Sequence, residues 1–432
     1  MKLSNDDKTN RASQNTQFLN LSDGKINPPG VFSYPESVKS EEAQNIKKTC
    51  SRLFGYTPKE RPEYARKMGM ASWKGDTISD RALLAMEDRN QNPMEVIEVF
   101  LEKGISGIKD PSPEIEQLWE QVSTDPDWID WTLLEHGAKV YRRYGVTGFQ
   151  FQGISSIDSY RLESIGKTLM STGQYADDTA FKRFLLTCNF WTEISEAGGM
   201  KLFAGGWKTA LRVRLLHTLI RRSVFNNPSW DADKLGMPIN QVGLLGAPLI
   251  SSVMLGNLLK MLGYRPTDRD IDGLMHLWRY VSHIMGLEEG LFPESQEDGL
   301  QMIFDLFNLE KMTDNPEGIE LGTSFLECFK PSSQARGFEK ISRWIEYKTN
   351  IAQTLFFVSP ATRKAINSPN PIFLGILYLL VSFPKNITID FLRKTSPKFS
   401  DRYDQYASKR RRIWLKRQIS EADLLYRPES KY

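Results

Sequence analysis

Histidine and cysteine are scarce in this 432-residue sequence, which has four of the first and three of the second. Cys50, Cys188 and Cys328 lie far apart and form no Cys-x-x-Cys pair. That excludes a disulfide framework, a zinc knuckle and a thioether-linked haem motif. No His-Glu-x-x-His zinc helix and no Gly-x-Ser-x-Gly nucleophile elbow occurs. The segment Gly205-Gly-Trp-Lys-Thr209 imitates a phosphate-binding loop, but Trp207 separates glycine from lysine and no strand pattern precedes it. Large net charge is missing as well. A formal +3 excludes nucleic acid as the main partner. Runs of 18 or more apolar residues are absent, so a membrane-spanning helix is not expected. The polar stretch Met1–Asn20 lacks the apolar centre of a secretory signal, and a cytoplasmic, reducing setting is the expectation.

Strand-like alternation is also rare, and Asn386–Asp390 is the best short example of it. What the chain has instead is helical spacing from Tyr64 onward. Pro93–Gly104, Trp128–Tyr144, Thr179–Ala197, Trp207–Arg222, Val242–Leu262 and Asp268–Leu287 all carry it. Gly198-Gly199, Asn226-Asn-Pro228 and Gly263-Tyr-Arg-Pro266 punctuate these segments. The fold class expected is all-α. Residues 1–55, rich in Asn, Ser, Lys and Pro, read as a flexible arm. Residues 56–345 read as the main helical domain, and 346–432 as a basic helical appendix. The basic character is local, with eleven Lys and Arg against three acidic residues between Lys385 and Gln418.

The region with most chemistry runs from Phe181 to Arg222. Arg183 and Thr187 lie four residues apart, on one helical face. Farther on, His217 sits in an apolar helix with Ala210, Val213 and Ile220 on its face and Arg214 and Arg221 one turn to either side. A neutral imidazole on an apolar wall suits an axial ligand to haem iron, and nearby guanidinium groups suit its propionates. The other reading is a satisfied core histidine beside a solvated basic face. His276 and His283, seven apart, share one face of a helix and read as packing or as groups behind a pocket. His136 reads as packing or surface.

Four stretches together carry a family resemblance. Leu211-Arg-Val-Arg-Leu-Leu-His-Thr-Leu-Ile-Arg-Arg222 resembles the haem-ligand helix of the latex-clearing protein (rubber oxygenase) family, which includes the fungal endoplasmic-reticulum-bound oxygenases of mycophenolate biosynthesis. Trp128-Ile-Asp-Trp-Thr-Leu-Leu-Glu-His-Gly-Ala-Lys-Val-Tyr-Arg-Arg-Tyr-Gly145, Gly236-Met-Pro-Ile-Asn-Gln241 and Trp278-Arg-Tyr-Val-Ser-His-Ile-Met-Gly286 are similar to other stretches of that family, in the same order. The resemblance spans roughly residues 125–345 and implies a globin-like haem-binding core. It makes His217 the protein ligand of a non-covalent haem b, beside the Arg214 and Arg221 that the spacing offers to its propionates. It places Arg183 and Thr187 in the pocket as catalytic groups, where a guanidinium and a hydroxyl can address dioxygen. The implied reaction adds dioxygen across a C=C bond of an apolar, isoprenoid or lipid-like molecule and yields carbonyl products. Two departures stand out. Leu186 occupies the place of the family's lysine, and the family's upstream glutamate has no secure counterpart in 163–172, where Lys167 sits near the expected spacing.

Two other function classes compete with this reading. One is a haem protein without turnover, a gas sensor or haem store. The other is a membrane-associated helical protein that holds a lipid and no metal. The C-terminal segment bears on the second. Ile372–Phe383 is a twelve-residue, largely apolar run between prolines, expected to be a buried helix capping the core. Alternatively, the run and the basic stretch that follows it, Lys409–Arg412 beside Trp414 included, form a peripheral membrane contact through 372–418.

Overall fold

The computed structural model describes residues 17–171 and 178–419. Among them the protein is helical, and the bridge between Phe32 and Glu310 is the one β-type pairing. The helices that matter below are α1 (Thr77–Asp88), α2 (Trp131–Ser155), α3 (Glu163–Ser171), α4 (Asp178–Ile194), α5 (Gly205–Phe225) and α6 (Asp268–Ile284). They are followed by α7 (Gln296–Leu309), α8 (Pro316–Glu327), α9 (Gly337–Phe357), α10 (Ile372–Thr395) and α11 (Pro397–Gln418).

Local chemistry starts these helices where the sequence places it. Asp130 caps α2 by accepting the amides of Thr132 and Leu133 at 2.8 and 3.1 Å. Thr267 and Asp270 form a reciprocal capping box at the start of α6. Inside α2, Gly145 adopts φ 56°, ψ −138°, which redirects the second half of the helix. The centre of the molecule is the crossing of α2 and α6, where the backbones touch. A Cβ added to Gly137 would lie 1.9 Å from the carbonyl oxygen of Gly273. The run 243–262 is broken, with Pro248 inside its first turns and a π-helical stretch at Ile250–Met254. Such stretches arise where the regular hydrogen-bond ladder is interrupted.

Three expectations change here. The stretch 34–54 is no loose arm, since Tyr34–Ser37 and Glu41–Phe54 are helical and Tyr34, Val38, Ala43 and Cys50 are buried. Residues 1–16 lie outside the described residues. Asn386–Asp390 is helical, within α10. The expected boundary at 345 falls inside α9, and the basic segment is bound into the core. Arg411 is fully buried, donating to Ser195 Oγ at 2.8 Å and to Glu196 Oε1 at 2.6 Å.

The apolar C-terminal run is not a buried cap. α10 runs through Pro384 for 24 residues and turns its polar side inward. Ser382, Asn386 and Asp390 are buried, and Asn386 Nδ2 donates to the Leu262 carbonyl at 2.9 Å. Its apolar side faces out, with Phe373 77%, Leu380 68% and Val381 62% exposed. By length and composition this helix, like 243–262, passes as a candidate membrane span, but 243–262 is mostly buried in the fold.

Candidate functional site

α4 and α5 descend side by side from a tight turn around Gly198 and Gly199, and α5 begins where Gly206 lies against the backbone of Glu193 and Gly199. Between them, closed by α3, α6, α7 and the broken 243–250 segment, lies a cavity of about 590 Å³. Ligand pockets commonly span roughly 300–1,000 Å³. From α4 the lining includes Arg183, Leu186, Thr187 and Phe190; from α5 it includes Thr209, Arg212, Val213, Leu216, His217 and Ile220.

His217 is enclosed, and Nδ1 has no hydrogen-bond partner among the described residues. Burial above all, assisted by the positive charges of Arg221 and Arg183, pushes its pKa down to about 4. The ring is therefore neutral at ordinary pH, the state in which a nitrogen lone pair is available. Thr187 donates its hydroxyl back to the Arg183 carbonyl at 3.0 Å, so its oxygen, not its proton, is what the helix leaves over.

Arg214 and Arg221 are brought near His217 along α5, but their charged ends point to its other side and do not line the cavity. Arg214 grips Asp76 through Nε and Nη2 at 2.6 and 2.9 Å, and reaches Gln121 at 2.7 Å. Arg221 binds Asp80 through Nε at 2.9 Å and the Ile239 carbonyl through Nη1 at 2.8 Å. Thr218, between them, meets Ser79 at 2.6 Å. The face 214, 218, 221 is thus clamped to the start of α1, while the face 213, 217, 220 looks into the cavity. Both guanidinium groups are matched by carboxylates away from the cavity, and the arginines that do line it are Arg183 and Arg212. Arg212 is itself paired with Glu98 at 2.8 Å. Burial raises the Asp80 carboxyl to about 7 against the pull of Arg221.

The turn Gly236–Gln241 completes the clamp. Gln241 Nε2 donates to the carbonyls of Gly75 and Gly286 at 2.9 and 3.0 Å, joining the chain before α1 to the chain after α6. Gly286, at φ 86°, lies where any Cβ would be 2.2 Å from Asp76 Oδ2. Asp76 and Asp80 went unnoticed in the sequence because they stand about 140 positions from their partners.

The remaining histidines are structural. His136 Nε2 meets Asp270 at 2.9 Å, His276 Nε2 accepts the Asp130 amide at 2.9 Å, and His283 Nε2 contacts the Gln121 carbonyl at 3.1 Å. Lys167 pairs with Glu163 at 2.8 Å and does not line the cavity. Glu310 is the carboxylate at the wall, and it is held by the amide and hydroxyl of Ser164 at 3.0 and 2.6 Å. Among the described residues no three His, Cys, Asp or Glu side chains converge as a metal site.

A helical fold with a lone neutral histidine in a large, mostly apolar cavity defines an all-α domain built around an interior binding cavity, and its likeness to known proteins supplies the family. Residues 163–419 match the sequence model of the ER-bound oxygenase mpaB/B′/rubber oxygenase catalytic domain, and the chain belongs to that family of oxygenases. The match takes in α10 and α11, so the basic C-terminal helices are part of the catalytic domain. The chain is 21% identical over 232 residues to the rubber oxygenase of Streptomyces sp. (strain K30), a match covering 51% of each chain. It thus spans about half the length of that curated relative. The fold is that of the latex clearing protein LCP in its closed state, at a TM-score of 0.51 and 15% identity, over 82% of this chain and 91% of that one.

Proposed function

We propose that this protein is a haem b-dependent oxygenase that adds dioxygen across a C=C bond of an apolar, isoprenoid or lipid-like molecule and releases carbonyl products. The observation that carries the reading is His217, neutral, enclosed and with Nδ1 unpartnered, on the wall of a cavity of about 590 Å³. A single histidine without converging ligands among the described residues cannot hold a metal alone, whereas a porphyrin would bring nitrogens of its own and would need one protein side chain. The residues present fit that group. His217 would hold the iron, and Arg212, the cavity-lining arginine of α5, would turn toward the propionates from its pair with Glu98. Haem, when bound, supplies the activation of triplet dioxygen.

This chain's side chains do the rest. The wall formed by Val213, Leu216, Ile220 and Phe190 excludes water and receives an apolar substrate. Arg183 places a permanent positive charge and donor groups on the α4 side of the cavity, and these would stabilise negative charge developing on oxygen. Leu186 adds bulk there where a lysine would bring an amine. Arg183→Ala should keep more haem than a His217 variant yet lose turnover, since a donor aimed at developing charge is worth roughly 3 kcal/mol of barrier. Thr187→Ala should do the same only if its hydroxyl turns from the Arg183 carbonyl toward the bound molecule during the reaction. Unchanged oxygen uptake with an isoprenoid alkene in both variants would remove them from the site. The test of the reading as a whole is the absorption spectrum of the purified protein. A Soret band and about one acid–acetone-extractable haem per chain are expected; a colourless protein that takes up no haem overturns it.

The reading of a gas sensor or haem store draws on one observation: Thr187 gives its hydroxyl proton to the helix, and Glu310 is committed to Ser164. Oxygen consumption with an alkene separates the two.

Peripheral membrane contact belongs to the same proposal. The outward apolar side of α10 is interrupted by Lys385, close to Arg410 of α11, which leans on Tyr406. Basic groups beside an apolar surface suit an anionic leaflet, at roughly 1 kcal/mol each. Co-sedimentation with vesicles containing phosphatidylserine should occur at low salt and fall in Lys385→Glu/Arg410→Glu. Equal binding to neutral vesicles, or none to either, would discard the contact. Deleting 385–432 is no test, because Arg411 is part of the core.

A further inference from the structure

The cavity wall holds a second anomaly, on α6. Trp278 and Ser282 are one helical turn apart, 1% and 2% exposed, and both line the cavity. Trp278 Nε1 and Ser282 Oγ are buried polar atoms without a hydrogen-bond partner among the described residues. Nearly all buried polar groups in folded proteins are paired, so two unmet donors on one face of one helix call for a ligand. Two other buried side chains of the same types are satisfied, although the hydroxyls of Ser155 and Tyr144 are also unpartnered among the described residues. The buried indole of Trp207 donates to the Val122 carbonyl at 2.9 Å, and Ser252 to the Pro248 carbonyl at 2.7 Å.

We infer that Trp278 and Ser282 form a two-donor site for a carbonyl oxygen, and that the substrate of this cavity is an apolar chain bearing a carbonyl group instead of a pure hydrocarbon. An indole N–H can only donate, which fixes the ligand atom as an acceptor. Two donors a turn apart address the two lone pairs of one carbonyl oxygen, or that oxygen and a neighbour. Both donors are neutral, which favours a ketone or aldehyde over a carboxylate; the cationic groups of the wall stand on α4 and α5. Phe190, with its ring centroid 6.2 Å from that of Trp278, continues the surface with an apolar contact for the chain beyond the carbonyl. A hydrocarbon filling the same space would leave both donors desolvated and unmet, a cost that discriminates more strongly than a missing methylene does. The inference builds on the proposed function for the reaction, but not for binding. Carbonyl products of a C=C cleavage would meet the same two donors, and product retention follows from that.

The test is calorimetric titration of the full-length protein, before and after haem loading, with geranylacetone and with the analogue carrying a methylidene group in place of its carbonyl. Wild type should bind the ketone roughly tenfold to a hundredfold tighter, the worth of two buried hydrogen bonds. Trp278→Phe/Ser282→Ala should bind both ligands alike, with affinity for the methylidene analogue unchanged. Circular dichroism checks the fold, and Ser282→Ala alone, the smaller change, should show part of the loss if the double variant does not fold. Equal binding of the two ligands to wild type, or a ketone preference that survives the double variant, overturns the site. So does a variant that sheds haem while keeping the preference, because the donors would then serve a propionate. A protein that takes up no haem but prefers the ketone would overturn the cofactor and leave the donor pair standing.

Discussion

His217→Ala should purify with most of its haem gone, while Ala variants of His276 and His283 keep theirs. Of four histidines, His136, His276 and His283 are each engaged at Nε2 by Asp270, Asp130 and Gln121 and lie outside the cavity lining. Only His217 has a neutral ring on the cavity wall. Loss of groups that merely support a metal ligand costs roughly 10–100-fold in affinity, and loss of the ligand itself should cost more. Haem content by pyridine haemochrome, with far-ultraviolet circular dichroism to check the fold, gives the answer. Added imidazole should restore binding, since the substitution leaves a hole of that shape. Full haem retention in His217→Ala would move the ligand elsewhere.

The sequence made some of this legible and hid the rest, for identifiable reasons. The helix holding His217 was readable because apolar periodicity, flanking Gly and the absence of β-branched runs agree over its length. The cavity faces of α4 and α5 followed from the same period. What the period cannot give is the azimuth of a charged residue. Arg214 and Arg221 sit one turn either side of His217, and only the fold decides that their ends turn toward Asp76 and Asp80. α10 misled for a related reason. An apolar run suggests burial, yet here the neighbouring surface is polar, and the helix satisfies Leu262 and Arg265 with Asn386 and Asp390 while leaving Phe373 and Leu380 outside.

Asp76→Ala should be among the most destabilising single changes in the protein, by about 3–5 kcal/mol, because it strands the Arg214 guanidinium without its counter-ion in the interior. Both side chains are nearly inaccessible, at 1% and 4% exposure, so solvent cannot screen the loss. Asp76 also caps α1 through the Ser79 amide at 3.3 Å, which adds to the effect. Arg214→Met combined with Asp76→Leu should recover much of the stability, since a volume-matched apolar pair avoids the desolvation of both charges. Glu102→Ala, which breaks the exposed Lys208 pair at 2.8 Å, should leave stability close to that of the wild type. Chemical denaturation of the four proteins provides the comparison. If Asp76→Ala matches Glu102→Ala, the clamp on α5 is not what fixes the ligand helix.

The contact between Gly137 and Gly273 has a consequence for ligand size. It sets how far α6 stands from α2, and Trp278 and Ser282 ride on α6 five and nine residues past Gly273. The pair of glycines works as a spacer of zero thickness. A methyl group at either position must drive the two backbones apart, because what it meets first is backbone, the Gly273 carbonyl from position 137 and the Gly137 amide nitrogen from position 273. Cavity dimensions in this fold are therefore adjustable from a place no ligand touches, and relatives that differ at these two positions would be expected to differ in the width of the molecule they accept.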